Sequence, residues 1–305
     1  MKIMVFDVGG TEIKYSVMDE QMHRTDSGAV PTPQDTQAQF LDAVYRLYAP
    51  HKDEVTGIAM ALPGFVDNHT GYVSNGGALL YNTATPVGQL LAEKCGCPVI
   101  LENDGKAAAM AELANGALKG CCNAAVFIIG TGVGGGIIAN GQLVRGVHFT
   151  AGEYSFVNTN AEAWDAPDQN MACQCSTSNL LKWYRARKAL PEDAPLDGRS
   201  FFAAANAGEP EALEVLRRFC HAVAVQIYNL TVLLDVEKVA IGGGISKQPL
   251  LLESLRSAYD GLYASRAGQA YMEGLPRCQI VPCAFSSEAN QVGVAAAYFE
   301  AMQKK

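Results

Sequence analysis

The sequence has no run of about 18 apolar residues, the length that a membrane-spanning helix requires. Its opening stretch, MKIMVF, is interrupted by Asp7 and is too short for the apolar core of a secretory signal peptide. Both absences argue against a membrane protein or an exported one. We therefore expect a cytoplasmic protein with no membrane partner.

Basic residues are also scarce, since 23 Lys and Arg stand against 31 Asp and Glu, for a net charge of −8. A nucleic-acid-binding protein needs a basic face that displaces phosphate counterions, so this class is disfavoured. A nucleotide site is not excluded, because such a site depends on local charge and on backbone N–H groups.

The C-x-x-C spacing of a strong zinc motif is missing, although the chain has nine cysteines. An odd number of cysteines without an export signal favours reduced thiols. The 305 residues, 49% of them apolar, suit one large domain or two ordinary ones of about 100–200 residues each. Three close cysteine pairs have to be weighed as metal candidates: Cys95/Cys97, Cys121/Cys122 and Cys173/Cys175.

The segment GTGVGG, from Gly130 to Gly135, satisfies the dinucleotide pattern G-x-G-x-x-G. That pattern requires a helix that starts at the glycines. Here a β-branched run precedes the glycines, and Ile137-Ile138-Ala139 follows them and leads into the turn Asn140-Gly141. The sequence therefore predicts a β-hairpin with a glycine turn.

The N-terminus repeats this design, with strand 2–6, the turn DVGGT and strand 13–18, and VEKVAIGGGIS supplies a third glycine turn. Two similar hairpins about 120 residues apart predict a degenerate duplication of two α/β halves. We expect a smaller domain of residues 1–117 plus 290–305 and a larger domain of residues 118–289. Further strands are predicted at 57–64 and 98–104, and helices at 86–96, 105–118, 209–234, 249–264 and 289–304.

Glycine turns of this kind let backbone N–H groups approach phosphate oxygens without an intervening Cβ. An aspartate in such a turn repels phosphate unless a cation lies between them, so Asp7 implies Mg²⁺. The alternative is that these glycines only form tight turns. Three of them, each after a strand, favour a nucleotide site.

Transfer of a phosphoryl group to an alcohol needs a carboxylate that accepts the hydroxyl proton. Asp104 suits this role, because it ends a strand and opens a helix, where ligands of α/β sheets bind. Asn103 and Glu153 could bind polyol hydroxyls. The alternatives are that Asn103 and Asp104 only cap the helix and that Glu153 is a solvated surface residue.

Seven motifs resemble, in order, those of the ROK family of sugar kinases and sugar-responsive repressors. They are DVGGTEIK, ALPGFVD, LENDGKAAAMAE, GTGVGGGIIANGQLVRG, AGEYSF, LDVEKVAIGGGIS and SSEANQVGVAAAYF. The resemblance implies an α/β fold of the actin-like (ribonuclease H-like) and hexokinase-like type. It would be a duplicated two-domain fold with ATP and sugar in the interdomain cleft.

The resemblance also implies roles for particular residues. Asp104 matches the catalytic base, and the other substrate-binding residues would be Asn103, Glu153, Phe156 and Gly64. Asp7 would bind Mg²⁺ through water. The nucleotide would contact Asp7, Gly9, Gly10, Thr11, Lys14, Gly130, Thr131, Gly132, Gly134, Gly243 and Gly244.

Two departures from the family pattern concern the substrate and zinc. Phe156 stands where the family has a histidine that binds both sugar and zinc, and Lys182 stands where it has a sugar-binding glutamate. Only Cys173 and Cys175 of the zinc cysteines remain, with Leu180 at the third position, so we expect no structural zinc.

An aromatic residue at the sugar's C1 end is similar to the pattern of β-glucoside kinases. We therefore expect phosphorylation of the 6-hydroxyl of a β-glucoside such as cellobiose. The alternatives are a glucokinase, an N-acetylmannosamine kinase and, more distantly, a non-catalytic sugar-responsive binding protein. Because a strand is predicted from residue 2, we expect no helix-turn-helix of the repressor type. The protein could form a homodimer, but the sequence does not identify a contacting surface.

Overall fold

The computed structural model describes residues 1–303, apart from the side chain of Tyr271, and divides into two compact units. The first comprises Met1–Gly116, Leu143–Ala151 and the chain from Ser287, and the second comprises Ala117–Gln142 and Gly152–Ser286. The division expected from the sequence left Leu143–Ala151 in the second domain. The structure corrects this, because Arg145 in this segment forms an ion pair with Glu102 of the first unit.

The first unit is built on a mixed sheet with the strand order β3-β2-β1-β4-β7. Strands β1 and β2 pair antiparallel, whereas β1, β4 and β7 run parallel. The expected glycine hairpin is therefore confirmed. The strands are β1 (Lys2–Val8), β2 (Glu12–Asp19), β3 (Arg24–Pro31), β4 (Ile58–Leu62), β5 (Phe65–Asp67), β6 (Tyr72–Asn75) and β7 (Val99–Asn103).

Helices α1 (Gln37–Tyr48), α2 (Val87–Cys95), α3 (Asp104–Asn115) and the C-terminal α9 (Ala289–Gln303) belong to this unit. Gly96 ends α2 in the left-handed conformation that glycine adopts without strain. Alanine-rich α3 packs closely against α9, since a Cβ on Gly293 would lie 1.7 Å from the carbonyl oxygen of Ala107. The predicted return of the last helix to the N-terminal half is confirmed. Lys304, the last residue of that prediction, lies outside the described residues.

The second unit repeats the sheet of the first, in the order β10-β9-β8-β11-β12. Strands β8 and β9 form the antiparallel hairpin, and β8, β11 and β12 run parallel. The predicted duplication is confirmed, and a hairpin rather than a helix follows the GTGVGG motif. The strands are β8 (Ala124–Ile129), β9 (Val133–Ala139), β10 (Gln142–Leu143), β11 (Lys238–Gly242) and β12 (Gln279–Pro282).

Aromatic and aliphatic side chains of the helices pack on this second sheet. The core that they form includes Phe127 from the sheet and Phe201 and Phe219 from the helices. The helices are α4 (Met171–Gln174), α5 (Thr177–Arg187), α6 (Gly198–Asn206), α7 (Pro210–Leu234) and α8 (Pro249–Ala264). Among the described residues, no helix combines the length and the apolar character that crossing a membrane requires.

Candidate functional site

The first glycine turn joins β1 to β2 and is fixed through its carbonyl groups. Thr32 donates its hydroxyl to the Gly9 oxygen at 2.8 Å, and Gln34 donates its amide to the Gly10 oxygen at 2.7 Å. Within the described part of the chain, the N–H groups of Gly10 and Thr11 donate to no protein acceptor. Such free N–H groups are what a phosphate-binding turn presents.

Asp7 lies at the start of this turn and is only 9% exposed. Burial raises the pKa of its carboxyl, and the Asn290 hydrogen bond and the nearby Lys14 ammonium oppose this shift. Lys14 is the direct cross-strand neighbour of Asp7 in the hairpin. A poorly solvated carboxylate beside free N–H groups fits a hard cation such as Mg²⁺, which is held by one or two carboxylates plus phosphate and water.

The second glycine turn, between β8 and β9, is supported by two neighbouring segments of its own unit. Thr177 donates its backbone N–H to the Gly130 oxygen at 2.8 Å, at the start of α5. The Ser155 hydroxyl accepts from the N–H of Val133 at 3.3 Å and donates to the Val133 carbonyl at 3.0 Å. Thr131 and Gly134 are exposed at the turn.

The third glycine turn follows β11 and packs against the start of the second. Gly243 has φ +95°, and a Cβ there would lie 2.1 Å from the carbonyl oxygen of Ile129, so only glycine fits. Ser246 closes the turn with a hydroxyl hydrogen bond of 2.8 Å to the Gly243 oxygen. The structure thus brings Gly243 together with the turn that begins at Gly130.

Asn103 joins the end of β7 to the loop that contains Gly64. Its Oδ1 accepts from the N–H of Lys106 at 3.0 Å, and its Nδ2 donates to the Gly64 carbonyl at 2.9 Å. Asn103 therefore caps α3. The amide nevertheless keeps one further N–H and one further lone pair for a ligand.

Gly64 and Gly10 both contact the loop that follows β6. A Cβ on Gly64, which has φ +94°, would lie 2.7 Å from the backbone nitrogen of Gly77, and a Cβ on Gly10 would lie 3.1 Å from the Cβ of Ala78. The first unit therefore links Gly10, Gly64 and Asn103 through one short loop.

Asp104 opens α3 directly after Asn103 and is half-buried. Its Oδ1 accepts from the N–H of Gly105 at 2.7 Å. The carboxylate thus lies beyond the carboxyl end of a parallel strand and at the N-terminus of a helix, where α/β sheets bind ligands and where negative charge is stabilised.

Glu153 precedes, and Phe156 ends, a single 3-10 turn, Tyr154–Phe156, that packs on β9. Tyr154 is buried, stacks edge-on against Phe127 and donates its hydroxyl to the Gly136 oxygen at 3.1 Å. Two positions later, Phe156 is 69% exposed. The buried tyrosine therefore fixes the turn, and the phenylalanine faces solvent.

At the position of the family's zinc site, one of the two remaining cysteines, Cys175, lies in the core. Cys175 is fully buried, and burial raises the pKa of its thiol to about 12. Leu180, at the third position, is buried in the core. Among residues 1–303, no three His, Cys, Asp or Glu side chains cluster as a metal site.

A pocket in the second unit does not coincide with the predicted site. It has a volume of about 940 Å³, and its lining includes Trp183, Arg218 and Leu262 from α5, α7 and α8, but none of the predicted residues. A smaller pocket of about 420 Å³ includes Thr131. Backbone N–H groups rather than apolar walls recognise phosphate, so the apolar pocket is not a candidate phosphate site.

The sequence did not identify three side chains that contact the predicted residues or their immediate neighbours. Asn290 binds Asp7, Arg145 binds Glu102 next to Asn103, and Ser155 supports the second glycine turn. All three lie within motifs that were noted for other residues. They are distant in sequence from the residues that they contact, so no local sequence pattern indicates these contacts.

Comparison with known proteins agrees with these features. A model of the ROK family matches residues 3–302. A β-glucoside kinase of Klebsiella pneumoniae is 31% identical over 259 residues, which cover 84% of this chain and 86% of that protein.

Two solved structures extend the similarity to the whole chain. A ROK family protein from Streptococcus pneumoniae TIGR4 in complex with sucrose has a TM-score of 0.87 and 28% identity, over 100% of both chains. A ROK family glucokinase from Streptomyces griseus in complex with glucose and AMPPNP has a TM-score of 0.78 and 25% identity, over 97% of this chain and 99% of that one. These similarities confirm the actin-like, hexokinase-like fold. The match over residues 3–302 establishes that this chain belongs to the ROK family.

Proposed function

We propose that this member of the ROK family transfers the γ-phosphate of ATP to the 6-hydroxyl of a hexopyranose, with a β-glucoside such as cellobiose as the preferred acceptor. Its kinase relatives make it an ATP-dependent carbohydrate kinase. The observation that carries the choice of acceptor is the exposed ring of Phe156, three residues after Glu153.

Asp104 is proposed as the general base. The N-terminus of a helix stabilises negative charge, and a carboxylate there can accept the proton of an attacking hydroxyl. Asn103, with one unused N–H and one unused lone pair, and Glu153 are proposed to bind sugar hydroxyls. Asp104 would orient the 6-hydroxyl and remove its proton as the oxygen attacks phosphorus.

The glycine turns are proposed to bind the phosphates of ATP through free backbone N–H groups. Mg²⁺, when bound, would neutralise negative charge on the phosphates, and Asp7 would hold it through water. Lys14 would favour the ionised form of the buried Asp7 carboxylate, because it is the cationic neighbour across the hairpin. Gly130, Thr131, Gly132 and Gly134, with Gly243 and Gly244, would complete the contacts to ATP.

Phe156 is proposed to contact the group attached to C1 of the sugar. An aromatic ring cannot hydrogen-bond the 1-hydroxyl of free glucose, but its face can stack against a second sugar or an aryl group. The similarity to a β-glucoside kinase of Klebsiella pneumoniae supports this preference. A neighbouring ROK structure that contains sucrose supports an acceptor larger than one sugar.

The test is ADP release from ATP and Mg²⁺ with glucose, cellobiose, arbutin, N-acetylmannosamine and fructose as acceptors. We expect kcat/KM for cellobiose and arbutin to exceed that for glucose by at least tenfold, a difference of about 1.4 kcal/mol in transition-state binding. Glucose as the best acceptor would identify a glucokinase instead. No release with any acceptor would favour the non-catalytic binding protein.

A further inference from the structure

A buried carboxylate that the proposed mechanism does not use lies directly before the catalytic segment. Glu102 is the penultimate residue of β7, precedes Asn103 and Asp104, and is only 1% exposed. A carboxylate removed from water in this way is costly unless a cation and hydrogen bonds compensate it. Glu102 therefore destabilises the fold unless neighbouring groups compensate its charge.

Both oxygens of Glu102 have partners. Oε2 accepts from the Nε of Arg145 at 2.8 Å, and Oε1 accepts from the backbone N–H of Asn103 at 3.1 Å. The carboxylate therefore connects the guanidinium to the backbone of the residue that caps α3.

Arg145 also contacts the helix that Asp104 opens. Its Nη2 lies 3.4 Å from the Sδ of Met110, in the second turn of α3, and its side chain is 25% exposed. One guanidinium thus contacts both the end of β7 and the side of α3. Asp104 lies at the junction of these two elements.

The rest of the junction is fixed by Asn103, which binds Lys106 within α3 and Gly64 in the neighbouring loop. The orientation of the Asp104 carboxylate therefore depends on how the strand end is held. Catalysis is sensitive to such alignment, because an error of about 1 Å in a reacting group can cost about 10²-fold in rate.

We propose that Arg145 is a positioning residue for the phosphoryl transfer: through its ion pair with Glu102 and its contact with Met110, it aligns the Asn103–Asp104 junction. This inference rests on the proposed role of Asp104 as the general base. It assigns a function to the segment Leu143–Ala151, which belongs to the first unit although both its ends continue into the second.

The test is a double-mutant cycle between Arg145→Met and Asp104→Asn, with kcat and both KM values measured for the full-length enzyme. We expect Arg145→Met to lower kcat by about 10²-fold, while the KM for ATP changes less than threefold. In the Asp104→Asn background, Arg145→Met should lower kcat no further, because the carboxylate that it aligns is already absent.

Two further variants define the interaction. Arg145→Lys keeps the charge but not the Nε geometry, so it should restore part of the lost rate. Glu102→Gln keeps an acceptor for the Asn103 N–H and should lower kcat less than Arg145→Met. If Arg145→Met proves poorly folded by thermal unfolding, the same cycle is run with these two variants.

Arg187→Met is the matched control. Arg187 donates its Nε to Glu214 at the same distance of 2.8 Å, but both side chains are about half exposed on the surface of the second unit. This variant should leave kcat unchanged, since exposed ion pairs contribute little.

The outcomes separate the two proposals. If Arg145→Met lowers the rate of Asp104→Asn by the same factor as that of the parent, Arg145 does not act through Asp104 and the positioning role is wrong. If Asp104→Asn alone keeps near-normal turnover, the general-base assignment fails first, and the positioning role fails with it.

Discussion

Asn290 donates its amide Nδ2 to the Oδ1 of Asp7 at 2.9 Å, across 283 positions of the chain. The contact joins the first turn of α9 to the glycine turn after β1. It offers Asp7 a single hydrogen bond, which only partly offsets the effect of burial on the pKa of the carboxyl. Asp7 therefore carries a desolvation cost that a bound cation would relieve.

Asp7→Asn should stabilise the free protein at neutral pH and impair the use of ATP. The pKa of Asp7 is raised in the folded state. The side chain therefore contributes to stability in its neutral form, below the unfolded pKa, and this contribution is lost as pH rises through the folded pKa. The gain in Tm from the substitution should therefore shrink as pH falls. Thermal unfolding between pH 4 and 8, with KM for MgATP, measures both effects.

Glu93→Gln is the control for this prediction, because Glu93 is an exposed carboxylate on α2 of the same unit and does not affect the pKa of Asp7. It should change neither Tm nor KM for MgATP appreciably. A lower Tm for Asp7→Asn at pH 8, or an unchanged KM, would contradict the account of Asp7.

Asp104→Asn should lower kcat by about 10²–10⁴-fold, the usual contribution of general-base catalysis. The amide keeps the shape of the side chain and can still accept from the Gly105 N–H, so the Tm should stay close to that of the parent. Steady-state kinetics with saturating ATP and sugar measure the loss. A normal kcat with a lowered Tm would instead support the capping alternative for Asp104.

Phe156→Ala should reduce kcat/KM for cellobiose and arbutin by about tenfold and that for glucose by less, because the ring is proposed to stack on the C1 substituent. Trp164→Ala is a suitable control, since Trp164 is also a highly exposed aromatic of the second unit. Equal losses for all three acceptors would show that Phe156 does not discriminate between them.

Gly243→Ala should destabilise the protein by about 1–3 kcal/mol, because alanine would adopt φ +95° with its Cβ against the Ile129 carbonyl. Gly244→Ala, the next position in the same turn, meets no atom within 4 Å and should change the free energy of unfolding little. Denaturant unfolding of both variants measures the difference. Similar values would mean that the turn relaxes around the new methyl group.

Removal of divalent metal should show that activity depends on magnesium and not on zinc. EDTA should abolish ADP release, and Mg²⁺ alone should restore it, because the phosphates need a hard cation. A zinc-selective chelator should leave activity and Tm unchanged, since the buried Cys175 thiol, with its pKa raised to about 12, is a poor source of thiolate. Loss of activity with that chelator would contradict the expectation of no structural zinc.

The duplicated hairpins could be predicted from the sequence because their signals are local. In each hairpin a strand of buried residues leads into a glycine turn, and Asn140-Gly141 forms the turn after the second strand of the β8–β9 hairpin. The bounds of α8 and of α7 agree with the prediction to within a residue for the same reason, since apolar residues recur at helical spacing over many turns. Strand β3, whose residues are mostly exposed and polar, gave no such pattern and was missed.

The contacts that support the candidate site could not be predicted in this way. Arg145 and Glu102 are 43 positions apart, and Asn290 and Asp7 are much further apart. A single sequence contains no periodicity that connects such residues, because their pairing depends on how complete elements pack. The candidate reactive residues could therefore be predicted from the sequence, whereas the side chains that align them could not.

The first unit has a consequence for protein synthesis. Its sheet and α3 are made early, but the helix that packs against them, α9, spans Ala289–Gln303. A ribosome must therefore translate the whole second unit before the first can be completed. Domains usually fold as they emerge, so we expect the later unit to fold first and the earlier one to wait, with its alanine-rich face exposed to chaperones.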